Sequence, residues 1–165
     1  MLNLPRQNIT VPRPLEPLHL GALTLIPFDG LHWEADSSRP GGRRGVPSTG
    51  YLAEFNGKRW LFPGDTRTYD ANRLTSFDSV NGIFAHLWLG RRSALMTLPP
   101  FLDHFCRFYI DLKPKRIVIT HMEDFGRDVI DFWDNWHYRL VFAGFQKIAS
   151  HIQISSAMIG ESVVL

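Results

Sequence analysis

One stretch organises the sequence, Trp60-Leu61-Phe62-Pro63-Gly64-Asp65. Its large apolar residues favour a buried β-strand, and Pro63 should end that strand because proline has no N–H to donate to a ladder. Gly64 lets the backbone bend where a side chain would clash. The pattern therefore predicts that Asp65 stands at the tip of a rigid strand, where its carboxylate can reach a metal ion or a substrate.

A β-hairpin is predicted around this strand. Tyr51–Phe55 and Arg59–Phe62 are rich in apolar residues, and Asn56-Gly57 joins them. Asn-Gly supplies the two positive-φ residues that a type I′ turn requires. A second strand repeats the plan, since the apolar run Arg116–Thr120 leads directly into His121. Two strand tips, one with a carboxylate and one with an imidazole, indicate a candidate metal site.

The remaining pattern predicts a single α/β domain with a mixed sheet and flanking helices. A strand, a helix and a second strand follow one another between Gly82 and His121, and such a crossover favours parallel pairing. The other predicted segments are an irregular, proline-rich lead-in over 1–17, a strand pair or one bent strand over Leu18–Phe28, a polar loop over Glu34–Ser48, a buried strand over Gly82–Leu89, a helix from Pro99 to Leu112, a second helix from Asp128 through Leu140, and one or two closing strands over Ile152–Ile154 and Ser162–Leu165.

Composition narrows the function classes. The chain has 165 residues, of which 44% are hydrophobic and 21% charged, as in an ordinary globular domain. A formal net charge of +2 gives no argument for nucleic acid binding. The single cysteine excludes a disulfide within the chain, and no apolar run reaches membrane-spanning length. These features predict a cytoplasmic protein.

Three residues are the candidate metal ligands: His32, Asp65 and His121. Each stands just past a predicted strand, and zinc accepts both imidazole nitrogen and carboxylate oxygen. Structural roles stay open, because aspartate is a preferred helix N-cap and His121 can hydrogen-bond to the turn that follows it. His86 lies inside an apolar run, and we interpret it as a core histidine rather than a ligand.

Paired arginines also occur after the predicted strand Gly82–Leu89. Arg91 and Arg92 are candidates for binding an anionic substrate, because a guanidinium matches carboxylate and phosphate groups. The alternative is an ordinary solvated face.

Three motifs together resemble those of metallo-β-lactamase-fold hydrolases. Phe62-Pro63-Gly64-Asp65-Thr66 is similar to the bridging-aspartate motif of that superfamily, and Ile119-Thr120-His121 to its last histidine motif. Ile26–Trp33, which contains His32, resembles the middle histidine motif. The order matches over roughly residues 18 to 140. Within the superfamily, the sequence looks most similar to the ascorbate-phosphate lactonase-like and zinc phosphodiesterase-like branch.

The resemblance implies a fold, a cofactor and an activity. The fold would be the C-terminal half of an αββα sandwich. Two divalent ions, zinc or another metal, would be bridged by Asp65, with His32 on one ion and His121 on the other. Metal-bound hydroxide would attack a phosphoester, a lactone or a similar bond of a small-molecule substrate.

The sequence departs from the family at its leading motif. H-x-H-x-D-H is absent, since no two of the seven histidines stand two positions apart. Without it the resemblance implies weakly held ions and an inactive isolated chain. The chain is then a fragment, a subunit whose partner supplies the missing half, or a degenerate relative. A non-catalytic domain that pairs with another chain or with itself through an aromatic-rich face is the competing function.

Overall fold

The computed structural model describes residues 10–35, 38–122 and 128–164. Within them, seven strands pair in one mixed sheet and two more form a separate antiparallel pair. The strands are, in chain order, β1 (Leu18–Leu20), β2 (Leu23–Asp29), β3 (Trp33–Ala35), β4 (Arg43–Gly45), β5 (Thr49–Phe55), β6 (Lys58–Phe62), β7 (Val80–His86), β8 (Pro114–Thr120) and β9 (Gln153–Ser156). The helices are α1 (Leu102–Asp111) and α2 (Asn135–Ala149), and short 3₁₀ turns cover Ala71–Arg73 and Val129–Asp131.

The sheet has the order β1-β2-β5-β6-β7-β8-β9. Pairing is antiparallel from β1 to β6, where the connections include hairpins, and parallel from β6 to β9. Since two antiparallel steps restore the direction, β2 runs the same way as β6, β7 and β8. The carboxyl ends of these four strands therefore lie at one edge of the sheet.

Alternation along the strands divides the side chains between two faces. Leu61, Ile83 and Ile117 belong to the main core, together with Phe105 of α1 and Phe145 of α2. The helices therefore pack on this face. The opposite face carries the residues that we call the aromatic face, namely Tyr51, Trp60, Phe62 and Phe84.

The sequence predicted the hairpin and the crossover correctly. Asn56 and Gly57 have φ values of 48° and 71°, as a type I′ turn requires. β7 and β8 are parallel, with α1 between them in sequence. The interruption at Gly21-Ala22 separates two strands, so Leu18–Phe28 is a strand pair rather than one bent strand.

Three predicted segments differ from the structure. The polar loop contains β4 and the end of β3, although residues 36–37 lie outside the described part. The second helix begins at Asn135 instead of just after Asp128, where only a 3₁₀ turn forms. Residues 162–164 form no strand, which leaves β9 as the closing strand of the described residues.

Residues 10–17 contain neither helix nor strand, while residues 1–9 and Leu165 lie outside the described part. Among the residues described, no helix combines the length and the apolar character that crossing a membrane requires.

Candidate metal centre

Four side chains with metal-ligating groups lie at the carboxyl edge of the sheet. His32 follows β2, Asp65 follows β6, His86 is the last residue of β7, and His121 follows β8. Since these strands run in one direction, residues far apart in sequence reach the same edge. Rigid strands, rather than a single loop, therefore set the spacing of the four groups.

The four side chains are close together. Asp65, His86 and His121 each offer one ligand atom, and these atoms all lie within 4.8 Å of one another. The imidazole rings of His86 and His121 stack with centroids 4.5 Å apart and an interplanar angle of 11°. His32 Nε2 lies 2.9 Å from Asp65 Oδ2. The structure thus brings Asp65 and His121 together with His86, and it places His32 against Asp65.

Backbone hydrogen bonds fix His32 against Asp65. The carbonyl of Leu31 accepts from the N–H of Arg67 at 2.9 Å and from that of Thr68 at 3.2 Å. These bonds join the segment after β2 to the segment after β6. Gly45, with φ of 120°, lies so close that a Cβ there would come within 2.1 Å of the His32 carbonyl oxygen. Only glycine allows this approach.

The other pair of histidines is positioned by the end of the parallel ladder. The N–H of Leu87 donates to the carbonyl of Thr120 at 2.9 Å, which joins β7 and β8 just beyond their last residues. His121 has a φ of 64°, in the left-handed region that residues with a Cβ seldom occupy. Strained backbone of this kind persists where surrounding structure holds it, often at functional sites.

The two oxygens of Asp65 differ in their surroundings. Oδ2 accepts a hydrogen bond from Arg67 Nη2 at 3.1 Å and contacts His32 Nε2. Oδ1 is buried and has no hydrogen-bond partner, and the alignment of His32 Nε2 with Oδ2 is not that of a hydrogen bond. A buried carboxylate oxygen without a partner costs free energy that a bound cation would offset.

The donor set fits a divalent ion. Imidazole nitrogen and carboxylate oxygen are ligands of zinc and of several transition metals. Burial raises the pKa of Tyr69 and of Tyr109, and the charge of Asp65 raises both pKa values further. Both tyrosines near the site are therefore neutral at physiological pH, and Arg67 is the permanent cation in contact with Asp65.

The interpretation of His86 as a core histidine is wrong. Its side chain is only partly buried, and it lies among the candidate ligands. The predicted strand continued to Leu89, which placed His86 within it, whereas β7 ends at His86. An apolar run does not show where a strand ends. The sequence therefore did not reveal that His86 stands at the tip of β7.

The paired arginines have other contacts. Arg91 forms an ion pair with Glu34, and the backbone N–H of Arg92 donates to Asp131 Oδ1 at 2.8 Å. The hydrogen bond and the charge of Glu34 raise the pKa of Arg91, with a smaller contribution from Asp131. Arg67, which no sequence pattern singled out, contacts the candidate ligand Asp65.

Comparison with solved structures identifies the fold. The metallo-β-lactamase fold protein YhfI from Bacillus subtilis superposes with a TM-score of 0.56 at 10% identity, over 88% of this chain and 51% of that one. The chain has the metallo-β-lactamase fold. This confirms the predicted fold class, which is part of an αββα sandwich with a mixed sheet and flanking helices.

The chain also superposes on two solved structures whose names state a function. A candidate metal-dependent hydrolase from Parabacteroides distasonis matches with a TM-score of 0.52 and 12% identity, over 87% of this chain and 55% of that one. CmlA, a diiron β-hydroxylase from Streptomyces venezuelae, matches with a TM-score of 0.55 and 16% identity, over 92% of this chain and 34% of that one. Neither a protein-family model nor a curated protein sequence matches the chain.

The metallo-β-lactamase-fold chain spans about half the length of the first two structures, at 55% and 51%. Such a share is consistent with the C-terminal half that the motifs imply. At these identities the likeness establishes the fold, and the chemistry has to be argued from the residues of this chain.

Proposed function

We propose that the chain is a metal-dependent hydrolase that uses the carboxyl edge of its sheet as the metal site. One observation carries the proposal: Asp65, His86 and His121 gather within 4.8 Å, and His32 contacts Asp65. The residues that would hold zinc or a similar ion are His32, Asp65 and His121, as the motifs imply, together with His86. The substrate class is a phosphoester, a lactone or a similar small molecule.

A divalent ion bound at this edge would supply a Lewis acid for activating water and polarising the attacked bond. The residues of the chain set the conditions for that chemistry. Asp65 supplies the negative charge that retains a cation, and the ordered strand ends hold the imidazoles in place. Arg67, 3.1 Å from Asp65, provides positive charge toward an anionic substrate.

A cavity beside the histidines suits the non-reacting part of a small substrate. Its volume is about 370 Å³, which lies within the usual range for ligand pockets. Its lining combines His86 and His121 with apolar groups, among them Phe84, Met158 and Val163. Glu161 adds one negative charge. An apolar substrate body would bind here with its reactive bond toward the strand ends.

His86 also changes the expectation of an inactive isolated chain. That expectation followed from the ligands lost with the absent H-x-H-x-D-H motif, whereas the structure supplies one further imidazole at the site. We therefore propose that metal binding is weak but measurable, and that activity appears when added metal saturates the site. The chain's other half would then strengthen metal binding rather than create it.

Calorimetric zinc titration of three proteins tests the proposal. We expect Asp65→Asn to bind zinc more than about tenfold more weakly than the wild type, because a ligand charge is lost. His104→Asn, at an exposed position of α1 that is not among the grouped ligands, should bind as the wild type does.

The same three proteins are then assayed on a chromogenic phosphodiester and a chromogenic lactone at saturating zinc. Turnover should require the metal and be lost in Asp65→Asn. A wild-type chain that takes up no metal, or one that hydrolyses neither substrate when loaded, would contradict the hydrolase assignment.

A further inference from the structure

We propose that the site holds one divalent ion instead of a bridged pair, with Asp65 Oδ1, His86 and His121 as its ligands and Arg67 in the place of a second cation. The inference rests on the proposed metal site and specifies its composition. It gives His86 and His32 different roles from those that the motifs imply, and these roles can be separated by experiment.

Three adjacent strands supply the three ligands. β6, β7 and β8 are neighbours with parallel pairing, and they bring Asp65, His86 and His121 to one point. Three protein ligands with a position left open for water are the usual set of a catalytic zinc ion. This half of the fold therefore contains a complete set for one ion without any residue from another segment.

The two oxygens of Asp65 are not equally available to metal ions in the arrangement observed. A carboxylate that bridges with both oxygens gives one to each metal, and here Oδ2 is already shared with Arg67 Nη2 at 3.1 Å. A guanidinium does not lose its proton at any physiological pH, so Arg67 remains a cation beside Oδ2. Oδ1 is the buried oxygen without a hydrogen-bond partner, and it is the one available to an ion.

Arg67 is firmly placed for this role. Its backbone N–H donates to Leu31, its guanidinium lies 5.7 Å from the ring of Trp88, and its side chain is 24% exposed. A second divalent ion on Oδ2 would have to approach this partly buried positive charge, and the repulsion grows as water is excluded. The guanidinium thus neutralises the half of the carboxylate that a second ion would otherwise use.

His32 becomes a positioning residue in this arrangement. Its Nε2 lies 2.9 Å from Asp65 Oδ2, which is the oxygen that Arg67 also contacts. His32 follows β2, whereas the three proposed ligands come from β6, β7 and β8. His32 and Arg67 both contact Oδ2, which leaves the buried Oδ1 for the ion. His86 takes the ligand role that the motifs give to His32.

Cobalt(II) titration followed by visible absorption and by elemental analysis distinguishes the two arrangements. We expect one equivalent of metal per wild-type chain. His86→Asn should weaken binding by more than about tenfold and change the cobalt spectrum, as the loss of a ligand does. His32→Asn should keep one equivalent and a wild-type spectrum, with at most a moderate loss of affinity. Circular dichroism of the metal-free variants checks that each one is folded.

The outcomes separate this inference from the proposed function. Two equivalents in the wild type, or loss of metal in His32→Asn with retention in His86→Asn, would overturn the single-ion arrangement and leave a metal site standing. No metal uptake by the wild type would overturn both. The wild-type stoichiometry decides between one ion and two even where a variant does not fold.

Discussion

Two polar residues show how single side chains set the limits of an element. Asp134 Oδ1 accepts hydrogen bonds from the backbone N–H of Trp136 at 2.9 Å and of His137 at 3.2 Å. These bonds cap the N-terminus of α2. The buried His137 ring contacts Asp134 Oδ1 at 2.7 Å and the Ala94 carbonyl at 2.8 Å. The cap therefore also joins α2 to the segment that follows β7.

Asp134→Ala should reduce the free energy of unfolding by about 1 kcal/mol, the usual cost of losing an N-cap. Asp134→Asn should cost much less, because asparagine caps as well. Urea denaturation at neutral pH measures both. Equal stability of Asp134→Ala and the wild type would show that the cap contributes nothing.

The same residue predicts a dependence on pH. Burial raises the pKa of Asp134. Hydrogen bonds from the backbone N–H and the ring of His137, together with the charge of His137, lower the pKa by more and hold it below 3.8. A lowered folded-state pKa adds stability that is present above the unfolded value and lost as pH falls through the folded value. The wild type should thus lose more stability than Asp134→Asn as the pH falls below 3.8.

Elements differ in how far the sequence determines them. The β5–β6 hairpin is encoded locally, since Asn56-Gly57 dictates the turn and the turn fixes the pairing of Tyr51 with Phe62. The β3–β4 pair is not, because its three-residue strands have little apolar pattern. The Arg43 guanidinium, 4.3 Å from the Trp33 ring, supports this pair only after the chain has folded.

The sequence predicted only part of the candidate site, because local patterns mark some of its residues and not others. Asp65 and His121 follow strands whose ends are marked in the sequence, by Pro63 and by the change to polar residues. His86 follows no such mark, because apolar residues continue through Leu89 after β7 has ended. Arg67 reaches Asp65 through bonds to the distant Leu31 carbonyl, which no local pattern encodes.

Gly57→Ala should destabilise the hairpin by about 1 kcal/mol, because alanine at φ of 71° places its Cβ against the following carbonyl. No atom beyond Gly57 and its two chain neighbours lies within 4 Å of the added Cβ, so the cost comes from backbone conformation alone. Gly57→Asn is the matched control and should lose less, since asparagine tolerates this region. Thermal unfolding of the three proteins gives the order, and an alanine variant as stable as the wild type would contradict it.

At the scale of the whole molecule, the two faces of the sheet are covered unequally. α1 and α2 join the core on one face, where Phe105 and Phe145 are fully buried. On the aromatic face Trp60 is 6% exposed, but Tyr51, Phe62 and Phe84 remain only partly buried. Phe62 and Phe84 stack at 4.5 Å. In a sandwich of two sheets such a face meets a second sheet about 10 Å away.

The purified chain has only copies of itself to cover this face, so we expect it to self-associate. Burying apolar area contributes about 25 cal/mol per Å², so covering what Tyr51, Phe62 and Phe84 still expose favours association. Light scattering after size exclusion at micromolar concentration measures the effect. Tyr51→Lys should shift the population toward the monomer, whereas Phe142→Lys, on the exposed side of α2, should not. A wild-type monomer would mean that the chain closes its own core, and the half-sandwich interpretation would then fail.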